Sequence, residues 1–247
     1  MLFLHGMLLS RHQWTDNLPA LAEHVQPVCL ELWGHGDSPT PEDRAHYEMP
    51  AMLAQIEQVR ESLGTDRILL CGHSFGAGIT LHYAARHGDR LRGLVFLNSL
   101  SALGPSSRFT DDPARTARLD ALLTEGRPAL RRMPFHPRHA LRLAPEIRQM
   151  LLREADRVDP LAVERLNRIT GPQLSALSVL HRVQCPTLLV NGLFEKRFQP
   201  LRDLALTEIG HCKVADLQAG HAVNLEQAAE FDRAVADFVR SVIALEI

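Results

Sequence analysis

Lysine is almost missing from this chain: of its 27 basic residues, only Lys196 and Lys213 are not arginine. Aromatic residues are also scarce, at 5%, with two tryptophans and two tyrosines. The formal net charge of −2 excludes the strong positive field that a nucleic-acid binder needs. No apolar run is long enough to span a membrane, and no basic segment leads into one as a secretory signal would. The four cysteines (Cys29, Cys71, Cys185, Cys212) form no CxxC pair and no metal-ligand spacing. Cys29 and Cys71 fall in apolar strand-like runs, as buried free thiols in a reducing cytosol would. These absences point to a cytoplasmic protein with no metal or cofactor, acting on a small molecule rather than on nucleic acid or membrane. Monomer and homodimer both remain open.

What is present suffices for one large α/β domain: 247 residues, 45% of them hydrophobic. Leu2-Phe3-Leu4 reads as a buried strand that runs at once into His5-Gly6-Met7. Opening on a core strand means either that edge strands are missing before it or that the chain is truncated there. Arg11 to His24 has helical spacing cut by Pro19, and Val25 to Leu32 reads as a second strand. Met49 to Leu63 is an amphipathic helix closed by Gly64. Strands follow at Arg67–Cys71 and Leu94–Leu97, and again at Pro186–Gly192 and Cys212–Leu217. Leu225 to about Ala244 reads as one helix, with Asn224 as N-cap and Gln227 at the capping-box spacing. Strands alternating with helices predict a mostly parallel central sheet flanked by helices.

From Ser101 to Val183 the alternation stops. This stretch has short helix-like runs (Thr116–Thr124, Ala144–Arg153, Leu161–Ile169) and prolines from Pro105 to Pro145. It is too long for a loop, so residues 101–183 are expected to form a helical cap. Residues 1–100 and 184–247 would then form the core. The cap carries 14 arginines against nine acids, a net +5, which leaves −7 for the rest of the chain. Either some of these arginines face inward toward an anionic substrate, or they line outer helix faces in place of lysine. The scarcity of lysine throughout favours the second.

The chemistry centres on Gly72-His73-Ser74-Phe75-Gly76, a G-x-S-x-G run between a strand and a helix-forming run. A serine on so sharp a turn needs residues without bulk two places either side, which Gly72 and Gly76 supply. Gly78 is expected to let the following helix pack close to its strand. A nucleophilic serine also needs a base, and a carboxylate to hold that base in the right tautomer. His221, in a Gly-His loop before the last helix, and Glu195, three residues past a strand, complete the order Ser–acid–His. Glu208 and Asp216 also lie between them, but in a helix and a strand rather than a strand-end loop. The oxyanion formed on attack needs two N–H donors, for which Phe75 and Met7 are placed. Candidate substrate contacts are His73, Trp33, Arg131 and Arg132.

Taken in order, His5-Gly6, Gly34-His35-Gly36-Asp37-Ser38, the Gly72–Gly76 elbow and Gly220-His221 resemble the α/β-hydrolase superfamily. The resemblance covers the chain apart from the cap and implies that superfamily's fold, with the cap inserted before the acid-bearing strand. It implies a carboxylesterase- or thioesterase-like enzyme (EC 3.1) that cleaves an ester, thioester or C–C bond through an acyl-enzyme. The His5–Trp14 and Glu195–His221 stretches also look like MenH-type lyases, which start a proton abstraction with the same triad. Those lyases carry Tyr before the serine and Arg four residues after it, where this chain has His73 and Gly78. A non-hydrolytic lyase or cyclase, and a catalytically silent ligand receptor, are the alternative readings.

Overall fold

Along the strands, Leu2, Leu4, Leu70, Leu94 and Phe96 enter one hydrophobic cluster, while Phe3, Leu69, Cys71, Val95 and Leu97 enter another. Alternate residues thus face opposite sides of a sheet buried on both faces, which is why the strands read as unbroken apolar runs. The computed structural model describes residues 1–109 and 112–244, so Asp111 of the acid count lies outside the described residues. Among the described residues six strands are present: β1 (Leu2–Leu4), β2 (Val28–Leu30), β3 (Ile68–His73), β4 (Leu91–Leu97), β5 (Thr187–Gly192) and β6 (Cys212–Leu217). Their order is β2-β1-β3-β4-β5-β6, and every pairing is parallel. The second strand is shorter than its apolar run because only Val28, Cys29 and Leu30 find partners, opposite Leu2, Phe3 and Leu4.

Helices α1 (Leu18–Ala22), α2 (Met49–Ser62) and α3 (Phe75–Arg86) follow the first three strands, and α4 (Leu100–Leu103) follows β4. The β4–β5 insertion holds α5 (Pro113–Thr124), α6 (Arg127–Arg131), α7 (Pro145–Arg157) and α8 (Pro160–Arg165), and no strand among its described residues. Its prolines at 113, 128, 145 and 160 stand in the first turns of these helices, where their missing N–H costs nothing. After β5 come α9 (Gln199–Glu208), α10 (Val223–Glu226) and α11 (Ala228–Ala244).

Three expectations are corrected. The run from Arg11 to His24 is a 3₁₀ turn (Arg11–Trp14) followed by the short α1, with Pro19 in the first turn of α1. The last helix is broken at Gln227, and Asn224 lies inside α10 instead of capping it. Its amide is drawn into a buried network with Gln13 and Asn17, at 3.0 Å from each partner, which outweighs a local cap. Gly78 faces the insertion and not its strand: a Cβ there would meet Leu174 Cδ2 at 2.6 Å.

From β1 the chain runs outward to β2, then returns to place β3 on the other side of β1. The carboxyl ends of β1 and β3 therefore border the crevice where open parallel sheets bind ligands. His5-Gly6-Met7 and Ser74 are the residues that leave those two ends.

Candidate active site

Ser74 sits between β3 and α3 with φ 53° and ψ −110°. A non-glycine residue in such a conformation costs roughly 1–3 kcal/mol and must be held by its surroundings. Three neighbours hold it. A Cβ on Gly72 would come within 2.5 Å of Thr80 Oγ1, and one on Gly76 within 2.6 Å of Leu4 O and 2.7 Å of His5 O. Bare glycine at 76 lets the start of α3 press against the end of β1. Ser99 Oγ then donates to Ser74 O at 2.6 Å, a support that no sequence signal announced.

His221 Nδ1 lies 3.0 Å from Glu195 Oε2, so Nδ1–H donates to the carboxylate and Nε2 is left free to act as a base. Asn98, just past β4, donates from Nδ2 to the same Oε2 at 2.8 Å and accepts from Gly192 N–H at 2.9 Å. Asn98 thereby fixes both the carboxylate and the strand end that carries it. It was missed in the sequence, where an asparagine after a strand is unremarked. Asp216 is engaged elsewhere, 2.6 Å from Arg202 and 2.7 Å from Asn191. Among the described residues, no hydrogen bond joins Ser74 Oγ to the His221 ring, although both line the same cavities. In unliganded enzymes, hydrogen bonds between a nucleophile and its base are often long and tighten only with substrate bound.

His73 is 2% exposed, with its ring centroid 4.7 Å from that of His221 and its Nε2–H donating to His221 O at 3.0 Å. Burial holds its pKa well below the ordinary histidine value, so it is a neutral prop under the His221 loop.

The turn after β1 is held from all sides. Gly6 N–H donates to Gln13 Oε1 at 3.1 Å, and Gln13 Nε2 donates to Asn224 Oδ1 at 3.2 Å. Buried amides thus tie this turn to the helix that follows His221. Neither Met7 N–H nor Phe75 N–H makes a hydrogen bond among the described residues.

A cavity of about 360 Å³ opens over Ser74, with Met7, Phe75 and His221 on the core side and Phe109, Arg115 and Arg118 on the insertion side. A second, of about 290 Å³, shares Met7, Ser74 and His221 and extends to His73, Leu143 and Leu151. The other sequence candidates fall away from these. Trp33 donates from Nε1 to His46 O at 3.1 Å and packs edge-on to that ring, lining neither cavity. Arg131 and Arg132 are exposed and paired with Asp156 at 2.9 Å and Glu125 at 2.6 Å. Among the described residues, the arginines at the larger cavity are Arg115 and Arg118, one helical turn apart on α5. The choice of Arg131 and Arg132 among the 14 is thus corrected, because which helix face meets the cavity depends on tertiary packing. Arg115 is clamped by Phe109 O at 2.8 Å and Asn167 O at 2.6 Å, and no carboxylate lines that cavity among the described residues.

Residues 1–228 match the model of the alpha/beta hydrolase fold family. The chain belongs to that family. It is 23% identical over 97% of its length to a Bacillus subtilis (strain 168) protein, covering 89% of that protein. That relative is provisionally named a 2-succinyl-6-hydroxy-2,4-cyclohexadiene-1-carboxylate synthase. Fluoroacetate dehalogenase of Burkholderia sp is 33% identical, but over only 40% of this chain and 33% of that protein. Among solved structures, MenH from S. aureus superposes with a TM-score of 0.87 at 19% identity, covering 98% of this chain and 93% of that one. A thermophilic esterase from Thermogutta terrifontis does so with 0.76 at 24%, covering 98% and 89%. Among the described residues, no helix is long and apolar enough to cross a membrane, and no cluster of histidines, cysteines and acids could hold a metal ion.

Proposed function

We propose that this chain is a serine hydrolase that cleaves a small ester or thioester, with Ser74 as nucleophile, His221 as general base and Glu195 orienting His221. One observation carries the reading: a strained serine and a carboxylate-bound histidine share the wall of one cavity. In the reaction, His221 Nε2 takes the Ser74 hydroxyl proton as Oγ attacks the acyl carbon. The carbonyl oxygen becomes an oxyanion facing the N–H groups of Met7 and Phe75. His221 returns the proton to the leaving alcohol or thiol as that bond breaks. Water, deprotonated by the same histidine, then releases the acid and restores Ser74.

The two cavities meeting at Ser74 suit a substrate with one arm in each. Arg115, held by backbone carbonyls with no acid among the described lining residues, favours a carboxylate on the arm in the larger cavity, whereas Arg118 already pairs with Asp112 at 3.5 Å. A fluorophosphonate probe tests the nucleophile: Ser74 of the wild type is labelled and the Ser74→Ala variant is not. A folded wild type that takes no label overturns the reading.

A second reading has its own support. The full-length similarity to a protein named as a synthase, together with the MenH superposition, favours a non-hydrolytic elimination or cyclisation in which the same triad abstracts a proton. Turnover of an acidic substrate with no trapped acyl-enzyme would select it.

A further inference from the structure

We propose that His5 and His35 act as a matched pair of neutral positioning residues, which aim the Met7 N–H at the oxyanion. The proposal rests on the serine-hydrolase reading and assigns how its oxyanion hole is held. Met7 N–H and Gly6 C=O belong to one planar peptide and point in opposite directions, so whatever fixes the carbonyl fixes the donor. Gly6 O accepts from His5 Nδ1 at 2.8 Å and from Leu9 N–H at 3.2 Å. Both bonds pull the carbonyl into the protein and turn the Met7 N–H away from it.

On the far side of Met7 stands Leu8, fully buried with φ 61°. A leucine is strained there, and the strain persists only where something holds the backbone. Leu8 N–H donates to His35 Nε2 at 3.2 Å. The peptides on both sides of Met7 therefore end on histidine rings, whose centroids lie 5.3 Å apart.

The remaining ring nitrogens leave no choice of tautomer. His5 Nε2 accepts from Leu32 N–H at 3.1 Å, so its proton is on Nδ1, facing Gly6 O. His35 Nε2 accepts from Leu8 N–H, so its proton is also on Nδ1, 2.9 Å from Trp33 O. An added proton on either ring would set N–H against N–H. Both rings are fully buried and stay neutral, with burial lowering His5 to about 3 and His35 to about 4. The turn thus keeps one geometry at any pH well above those values.

The test compares His5→Phe, which keeps a ring but loses the donor, with His5→Asn, whose amide nitrogen can stand where Nδ1 stood. A core variant remote from the turn, Val235→Ala, serves as a control for lost stability. With p-nitrophenyl esters, His5→Phe is expected to lower kcat about 10- to 100-fold with KM within about twofold. Affinity for an alkyl boronic acid, whose serine adduct fills the oxyanion hole, should fall in step, and His5→Asn should recover part of both. A His5→Phe variant no slower than Val235→Ala overturns the proposal. Should His5→Phe fail to fold, ¹⁵N-histidine NMR of the unaltered protein decides. Nδ1–H tautomers at both residues from about pH 5 to 9 support the clamp, and an Nε2–H tautomer or an imidazolium at either one overturns it. Absence of ester turnover in the wild type would sink the hydrolase reading alone, since the tautomers are read without activity.

Discussion

At the scale of single residues, the site depends on hydrogen bonds that each leave one atom free. Glu195 occupies His221 Nδ1, so Nε2 is available for Ser74. Replacing Glu195 by Gln removes the charge and permits the wrong tautomer, and kcat should fall by on the order of 10³ with the fold intact. An unchanged kcat in steady-state ester hydrolysis would move the acid elsewhere. Arg115 gives a second prediction. Its guanidinium is fixed by two backbone carbonyls at the cavity wall, and its pKa is lowered by burial first and by Arg168 and Arg118 next. A substrate carboxylate would relieve that repulsion. Arg115→Ala should reduce kcat/KM for a carboxylate-bearing ester about 10- to 100-fold and leave a neutral ester of equal length unaffected. Equal losses on both esters would remove Arg115 from recognition.

At the scale of elements, what was legible in the sequence had a local cause. The G-x-S-x-G turn is legible because the strained serine turn itself demands residues without bulk at fixed spacing, although the atoms that exclude a Cβ at Gly76 belong to Leu4 and His5 at the end of β1. Gly76→Ala should therefore lower the unfolding free energy, measured by urea titration, by about 1–3 kcal/mol. It should also slow turnover, because α3 can no longer press against β1. Normal turnover with normal stability would contradict this account of the elbow. What was not legible depends on partners far away in sequence. Asn224 scans as a helix cap, yet its partners Gln13 and Asn17 lie more than 200 residues earlier. Asn98 and Ser99 read as an ordinary strand exit until Glu195 and Ser74 are seen beside them. Trp33, Arg131 and Arg132 suit substrate contact by residue type, but proximity to Ser74 is settled by how α5 and residues 133–135 border the cavity. No period in the sequence encodes that arrangement.

At the scale of the whole molecule, the β4–β5 insertion is latched to the core beside the site. Glu154 accepts from Ser10 at 2.8 Å, Arg157 pairs with Asp37, and Asp159 N–H reaches Gly34 O at 2.9 Å. Buried neutral histidines also shape the stability of the fold. His5, His35 and His73 all have pKa values below the ordinary 6.5, chiefly through burial. The unfolded chain takes up their protons near pH 6.5, whereas the folded chain resists to about pH 4 at His35 and about 3 at His5. Their contribution is thus complete above about pH 6.5 and is lost as the pH falls, at roughly 1.4 kcal/mol per pH unit for each histidine. Urea midpoints should drop steadily from pH 7 to 5, and a flat profile would contradict neutral burial. The central claim, that Ser74 carries an acyl group during turnover, is tested most directly by rapid-quench mass spectrometry with a slowly deacylated p-nitrophenyl ester. The account predicts a burst of one p-nitrophenol per chain, with the acyl mass on the peptide containing Ser74. Steady product release with no burst, and no acyl mass at Ser74, would contradict it.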